Sequence, residues 1–104
     1  MANERLAVPA HFDADVYSAF RRAFRRGLLK RAELDRMSAN LVDLAAERVA
    51  LPPLLAVADA LADRLSAGDA FYVALARIRR IELWTADVRL ERGAAGLAKV
   101  RLIA

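Results

Sequence analysis

Two apolar rhythms alternate along this chain, and their alternation limits the fold more than any other feature. Short apolar runs bounded by Pro or Gly have the length and punctuation of buried strands. Between them, apolar residues return every three or four positions, the period of a helix with one face inward. Arg5-Leu-Ala-Val8 ends at Pro9 and predicts a first strand. Phe12, Val16, Phe20 and Phe24, with Ala19 and Ala23 beside them, predict a helix over Ala10–Arg26 that stops at Gly27. A second helix is expected over Arg31–Glu47, on a stripe of Leu34, Met37, Leu41 and Leu44. Arg48–Leu51 then reads as a short strand closed by Pro52-Pro53, and Leu54–Leu65 as a third helix with Pro53 near its first turn. A fourth helix starts around Ser66 to Asp69 and runs to Arg79, followed by strand Ile81–Trp84. A short helix over Ala86–Glu91, a loop marked by Gly93 and Gly96, and a strand over Lys99–Ile103 complete the pattern.

Strands alternating with helices imply an α/β fold with a parallel sheet covered by helices on both faces. The chain has 104 residues, the size of one domain. Its hydrophobic fraction of 58% is enough for a packed core and excludes a disordered chain. Much of that fraction is Ala, which favours helix and buries little area. The core is therefore expected to rest on Leu, Val, Phe, Ile and the single Trp84.

The chain has no Cys, which excludes disulfides and thiolate metal sites. Residues Met1 to Arg5 include Glu4 and lead into no long apolar run, so no signal peptide is expected. Val49–Ala58 is too short to span a bilayer and contains Pro52-Pro53. These features predict a protein with no membrane segment, working in the cytoplasm. Net charge is +4, carried almost wholly by Arg, whose planar fork suits phosphate and equally suits a solvated surface.

Three acids stand where an α/β sheet usually places its chemistry, near the carboxyl ends of strands. Asp15 lies in the first turns of the helix after the first strand, Asp69 opens the fourth helix, and Asp87 follows strand Ile81–Trp84. Each has a local explanation. Asp13 and Asp15 complement a helix dipole. Ser66-Ala-Gly-Asp69 has capping-box spacing. Thr85 or Asp87 suits a helix cap. Taken together, three helix starts on one sheet edge would bring three carboxylates together. Such a group calls for a hard cation such as Mg²⁺ or Mn²⁺, which takes oxygen ligands and serves phosphodiester hydrolysis. His11, the only His, has no second His at ligand spacing and reads as a surface or capping residue. Arg22 and Arg26 fall on the side of the first helix that carries Asp15, within reach of an RNA phosphate beside the metal or simply on a solvated face. Tyr72 and Trp84 sit in apolar patterns that suit the core better than base stacking.

The acids also lie in a familiar setting. Leu6-Ala-Val-Pro-Ala-His-Phe-Asp-Ala-Asp15 and the helix after it resemble the second strand and following helix of VapC-type PIN domains, with Asp15 at the place of the family's usual Glu. Ser66-Ala-Gly-Asp-Ala-Phe-Tyr-Val-Ala-Leu-Ala76 resembles the family's Asp-Ala-x-Tyr-x-Ala-Leu-Ala helix, and Leu83-Trp-Thr-Ala-Asp-Val-Arg-Leu90 its Leu-x-Thr-x-Asp-x-x-Leu segment. The resemblance implies a metal-dependent endoribonuclease, the toxin of a toxin–antitoxin pair. Asp15, Asp69 and Asp87 would be its catalytic metal ligands and Mg²⁺ or Mn²⁺ its cofactor. Thr85 would orient the acids, with RNA as substrate, a cognate antitoxin as partner and a homodimer as the expected assembly.

Two departures accompany the resemblance. Asp15 is one methylene shorter than Glu, and an error near 1 Å in placing a catalytic group costs about 10²-fold in rate. The family also begins with an apolar strand ending in Asp, and nothing before Leu6 matches it. The expectation is therefore a PIN-like domain lacking its first, central strand. Two other readings stay open: a catalytically inactive PIN-domain remnant acting as a protein-interaction module, and a native start upstream of Met1.

Overall fold

The computed structural model describes residues 6–85 and 92–102. Its elements follow the expected α/β alternation. They are β1 (Leu6–Pro9), α1 (Phe12–Arg25), α2 (Arg31–Val42), β2 (Ala46–Val49), α3 (Leu55–Asp59), α4 (Ala67–Arg79), β3 (Leu83–Thr85) and β4 (Val100–Leu102). The chain divides into two compact units, 1–48 and 49–104.

In the first unit β1 and β2 pair in a two-stranded sheet, and α1 packs against α2. Val8, Pro9 and Leu34 are buried. The stripe Phe12, Val16, Phe20 and Phe24 is on one face of α1 as expected, yet no residue of this helix is fully buried. Ala19 is exposed and Tyr17 is 42% exposed. Gly27 ends α1 as expected. Its φ of +76° is the left-handed turn that lets Leu28 N–H donate to Ala23 O (2.9 Å) and Gly27 N–H to Phe24 O (3.0 Å). A side chain at Gly27 would meet nothing, so the constraint there is backbone conformation alone.

Helix α2 is shorter than its sequence pattern. It stops at Val42, and Ala46-Glu-Arg-Val49 pairs with β1 instead of continuing the helix. Ala and Glu are good helix formers, but pairing with a neighbouring strand outweighs a propensity of a few tenths of a kcal/mol per residue. Leu44 lies beyond the helix, and the strand expected at Arg48–Leu51 begins two residues earlier.

In the second unit the expected helix Leu54–Leu65 is also cut short. Pro52–Leu54 forms a 3₁₀ turn, α3 covers Leu55–Asp59, and residues 60–65 follow in tight turns such as Ala62 N–H to Asp59 O (3.1 Å) and Arg64 N–H to Leu61 O (3.0 Å). Helix α4 matches its pattern. Its N-cap Ser66 accepts a hydrogen bond from the Asp69 N–H (3.3 Å), as the spacing predicts. It packs against α3 through small side chains, with Ala58, Ala70, Ala74 and Ala76 buried beside Leu54, Leu61, Val73 and Leu75. Leu and Val are in the core as expected, whereas no Phe or Ile is among the fully buried residues described, and Ala takes a larger share than its small area suggests. The side chain of Trp84 lies outside the described ones.

Strands β3 and β4 pair in parallel, as the alternation predicts, with Leu83 opposite Val100 and Thr85 opposite Leu102. The helix expected over Ala86–Glu91 lies outside the described residues. Gly93 belongs to a short helical end rather than a loop, and a Cβ there would stand 2.6 Å from Leu65 Cδ2 and 3.2 Å from Arg64 O. Gly96 does turn the chain, with φ +79°. Helix α4 ends on Arg80 in the left-handed region (φ 54°), with Ile81 N–H donating to Ala76 O at 3.0 Å. Arg80 does there what Gly27 does after α1, with a steric cost glycine avoids.

Two substitutions separate these effects. Gly27→Ala is expected to destabilise by about 1 kcal/mol, and Arg80→Gly to stabilise by about 0.5–1 kcal/mol. Urea midpoints at constant slope measure both. A Gly27→Ala protein as stable as the parent would show that this turn tolerates another conformation.

Candidate functional site

The expected site residues fall on both units. Asp15 stands in the first turn of α1, with its side chain 54% exposed and its Oδ2 3.6 Å from His11 Nε2. His11 occupies the N-cap position of α1, but its side chain makes no capping hydrogen bond and is 20% exposed, so it is neither the capping nor the surface side chain expected from the sequence. Arg22 and Arg26 are exposed on the same side of α1, about 10 Å and 16 Å further along its axis. Arg21 and Arg31 instead lie over aromatic rings, Tyr17 at 5.9 Å and Phe24 at 5.7 Å.

Asp69 is half-buried in the first turn of α4, where the helix dipole favours a carboxylate. Its backbone N–H is taken by Ser66, which leaves the carboxylate for other work. Thr85 closes β3. Helix α4 packs against β3, and only residues 80–82 join them. Asp69 stands in the first turn of this helix, and Thr85 ends the strand packed against it. Backbone pairing anchors this strand. Leu83 N–H donates to Lys99 O at 2.8 Å, and Lys99 Nζ lies 3.7 Å from Glu82 Oε2. Asp87 lies outside the described residues. Among the described residues of each unit, no three His, Asp or Glu side chains gather into a metal-binding group.

The best-built polar cluster was not legible in the sequence. Arg48, on β2, holds Asp13 with both carboxylate oxygens: Nη2 to Oδ1 at 2.9 Å and Nε to Oδ2 at 3.1 Å. The same guanidinium donates to the carbonyls of Leu44 (2.9 Å), Ala46 (3.3 Å) and Leu41 (3.2 Å). The partners Asp13 and Arg48 are 35 residues apart, and no spacing rule links them. The Arg48 guanidinium, first through its hydrogen bonds and then through its charge, holds the Asp13 carboxyl below the ordinary value of 3.8.

The comparisons with known proteins are decisive for family. No family model matches the chain. Ribonuclease VapC3 of Mycobacterium tuberculosis is 40% identical over 92 residues, which is 88% of this chain and 67% of that protein. Ribonuclease VapC12 of the same organism is 33% identical over 104 residues, the whole of this chain and 81% of that protein. This chain belongs to the VapC family. Its α/β architecture, with a parallel β3–β4 pair, is that of a VapC-type PIN domain. The family suggested by the motifs around Asp15, Asp69 and Asp87 is thus the family of the whole chain.

Within this VapC chain the Asp13 shift has a consequence for stability. A folded-state pKa below the unfolded one gives stabilisation that is present above pH 3.8 and is lost as pH falls through the lower folded value. Urea midpoints between pH 7 and pH 2 are expected to fall on the acid side of that value. Asp13→Asn should be less stable at pH 7 and lose less on acidification. Equal acid sensitivity in the two proteins would show that the pair contributes nothing.

Proposed function

We propose that this chain is a metal-dependent endoribonuclease, the toxin of a toxin–antitoxin pair. The observation that carries the reading is its 40% identity, over 88% of its length, with a protein named as a ribonuclease. Asp15, Asp69 and Asp87 are the carboxylates assigned to hold Mg²⁺ or Mn²⁺. The donor set fits such an ion. It is all oxygen, in a chain with no Cys, with one carboxylate well exposed and another at a helix start. When bound, the ion supplies an activated water and a charge that holds a phosphate oxygen.

The chain's own groups do the rest. Arg22 and Arg26 bind RNA phosphate on the exposed side of α1 and hold the strand in register with Asp15. Thr85, at the end of β3, takes the orienting role that the family resemblance implies. A cognate antitoxin, a homodimer and a cytoplasmic site of action complete the proposal. No helix among the described residues is long and apolar enough to cross a membrane.

RNA incubated with the purified chain is expected to be cut when Mg²⁺ or Mn²⁺ is present and to stay intact with a chelator. Asp69→Asn should abolish cleavage without unfolding α4, because the Ser66 cap uses the backbone N–H of residue 69 and not its carboxylate. Intact RNA with either ion, at protein in excess over substrate, would refute the assignment.

A further inference from the structure

We propose that Arg48 is a positioning residue for Asp15, acting through Asp13 on the first turn of α1. The inference rests on the reading of Asp15 as a metal ligand. A guanidinium has five N–H donors, and the Arg48 bonds occupy all of them: one from Nε, two from Nη1 and two from Nη2. An arginine so committed has no donor left for RNA phosphate, although it sits in a basic, Arg-rich chain. Its work is internal.

Its partners show what that work is. Leu41 lies in the last turn of α2, where a cation is favoured, and its carbonyl accepts from Leu44 N–H as well as from Arg48. Leu44 lies in the turn that leads into β2, and Ala46 opens that strand. Asp13 is the second residue of α1. One side chain therefore ties the start of α1 to the end of α2 and to β2, all within the first unit.

Asp13 and Asp15 are two positions apart on a helix, about 200° around its axis. Asp13 turns to Arg48, and Asp15 faces away with its side chain 54% exposed. Two parallel hydrogen bonds to one carboxylate fix direction as well as distance. Gripping Asp13 from the inner side thus sets the rotation of the first turn and the direction in which Asp15 is presented. Helix ends fray, and His11 is not among the residues that cap them best. Without Arg48 this turn would open more readily than the rest of the unit.

The test uses the full chain and two readouts. Amide hydrogen exchange in Arg48→Met, which keeps the aliphatic stem, is expected to rise severalfold at residues 15–17, with α4 unchanged. Mn²⁺ affinity, read from paramagnetic broadening of the Asp15 resonances, is expected to fall about tenfold, the usual scale for losing a group that orients a ligand. Arg48→Lys should rescue neither, because a single ammonium cannot span both carboxylate oxygens and three carbonyls. Asp13→Asn, which leaves the Arg48 carbonyl contacts in place, should give the same local pattern if Arg48→Met does not fold. Unchanged exchange at residues 15–17, an equal rise across α4, or rescue by Lys would each overturn the positioning role. Absence of Mn²⁺ binding in the unaltered chain would overturn the metal reading of Asp15, while the exchange data would still decide whether Arg48 holds the turn.

Discussion

The first unit depends on one guanidinium. Arg48 neutralises Asp13 at the start of α1, takes up a carbonyl from the last turn of α2, and does so from the strand that pairs with β1. A hydrophobic contact tolerates sliding; a five-donor fork does not, since each bond has a direction. The requirement matters because the hydrophobic grip on α1 is weak. Its Phe stripe is only half-buried, and none of its residues is fully enclosed. Placement of this helix, and with it Asp15, Arg22 and Arg26, therefore owes more to a polar contact than is usual for an amphipathic helix.

The second unit is held in a different way. Its core packs Leu54, Leu61, Val73 and Leu75 with Ala58, Ala70, Ala74 and Ala76, and Gly93 closely approaches Leu65 and Arg64. Close packing of this kind depends on the absence of side-chain volume, so an added methyl group is felt as steric conflict rather than extra burial. Ser66 fixes where α4 begins, and the left-handed Arg80 fixes where it ends and turns towards β3. Between them they set the helix that carries Asp69 beside the strand that ends at Thr85. The ends of this helix are thus set by a cap and a left-handed turn.

Part of the candidate site was legible in the residues themselves. Asp15, Asp69 and Asp87 stand out because each begins or follows a recognisable element, and the motifs around the last two resemble a family to which the chain belongs. The Ser66–Asp69 cap was legible because it is local, spans four residues and is governed by one helix turn. The Arg48–Asp13 pair was not, because its partners meet only after two helices have folded back on one another. Reading Arg48 as an ordinary strand residue and Asp13 as a helix-dipole charge was reasonable for each alone and missed what they do together.

The sequence by itself determined the α/β alternation, the ends of α1 at Gly27 and of α4 near Arg79, the parallel relation of β3 and β4, and the family. These follow from local period, from glycine's access to left-handed backbone, and from motifs of a few residues. Tertiary structure decided where α2 and α3 stop, which side chains form the core, and what orients the start of α1. The physical reason is the same in each case. Propensities differ by tenths of a kcal/mol per residue, while a strand partner, a close helix contact or a fully bonded guanidinium exists only once distant segments are side by side.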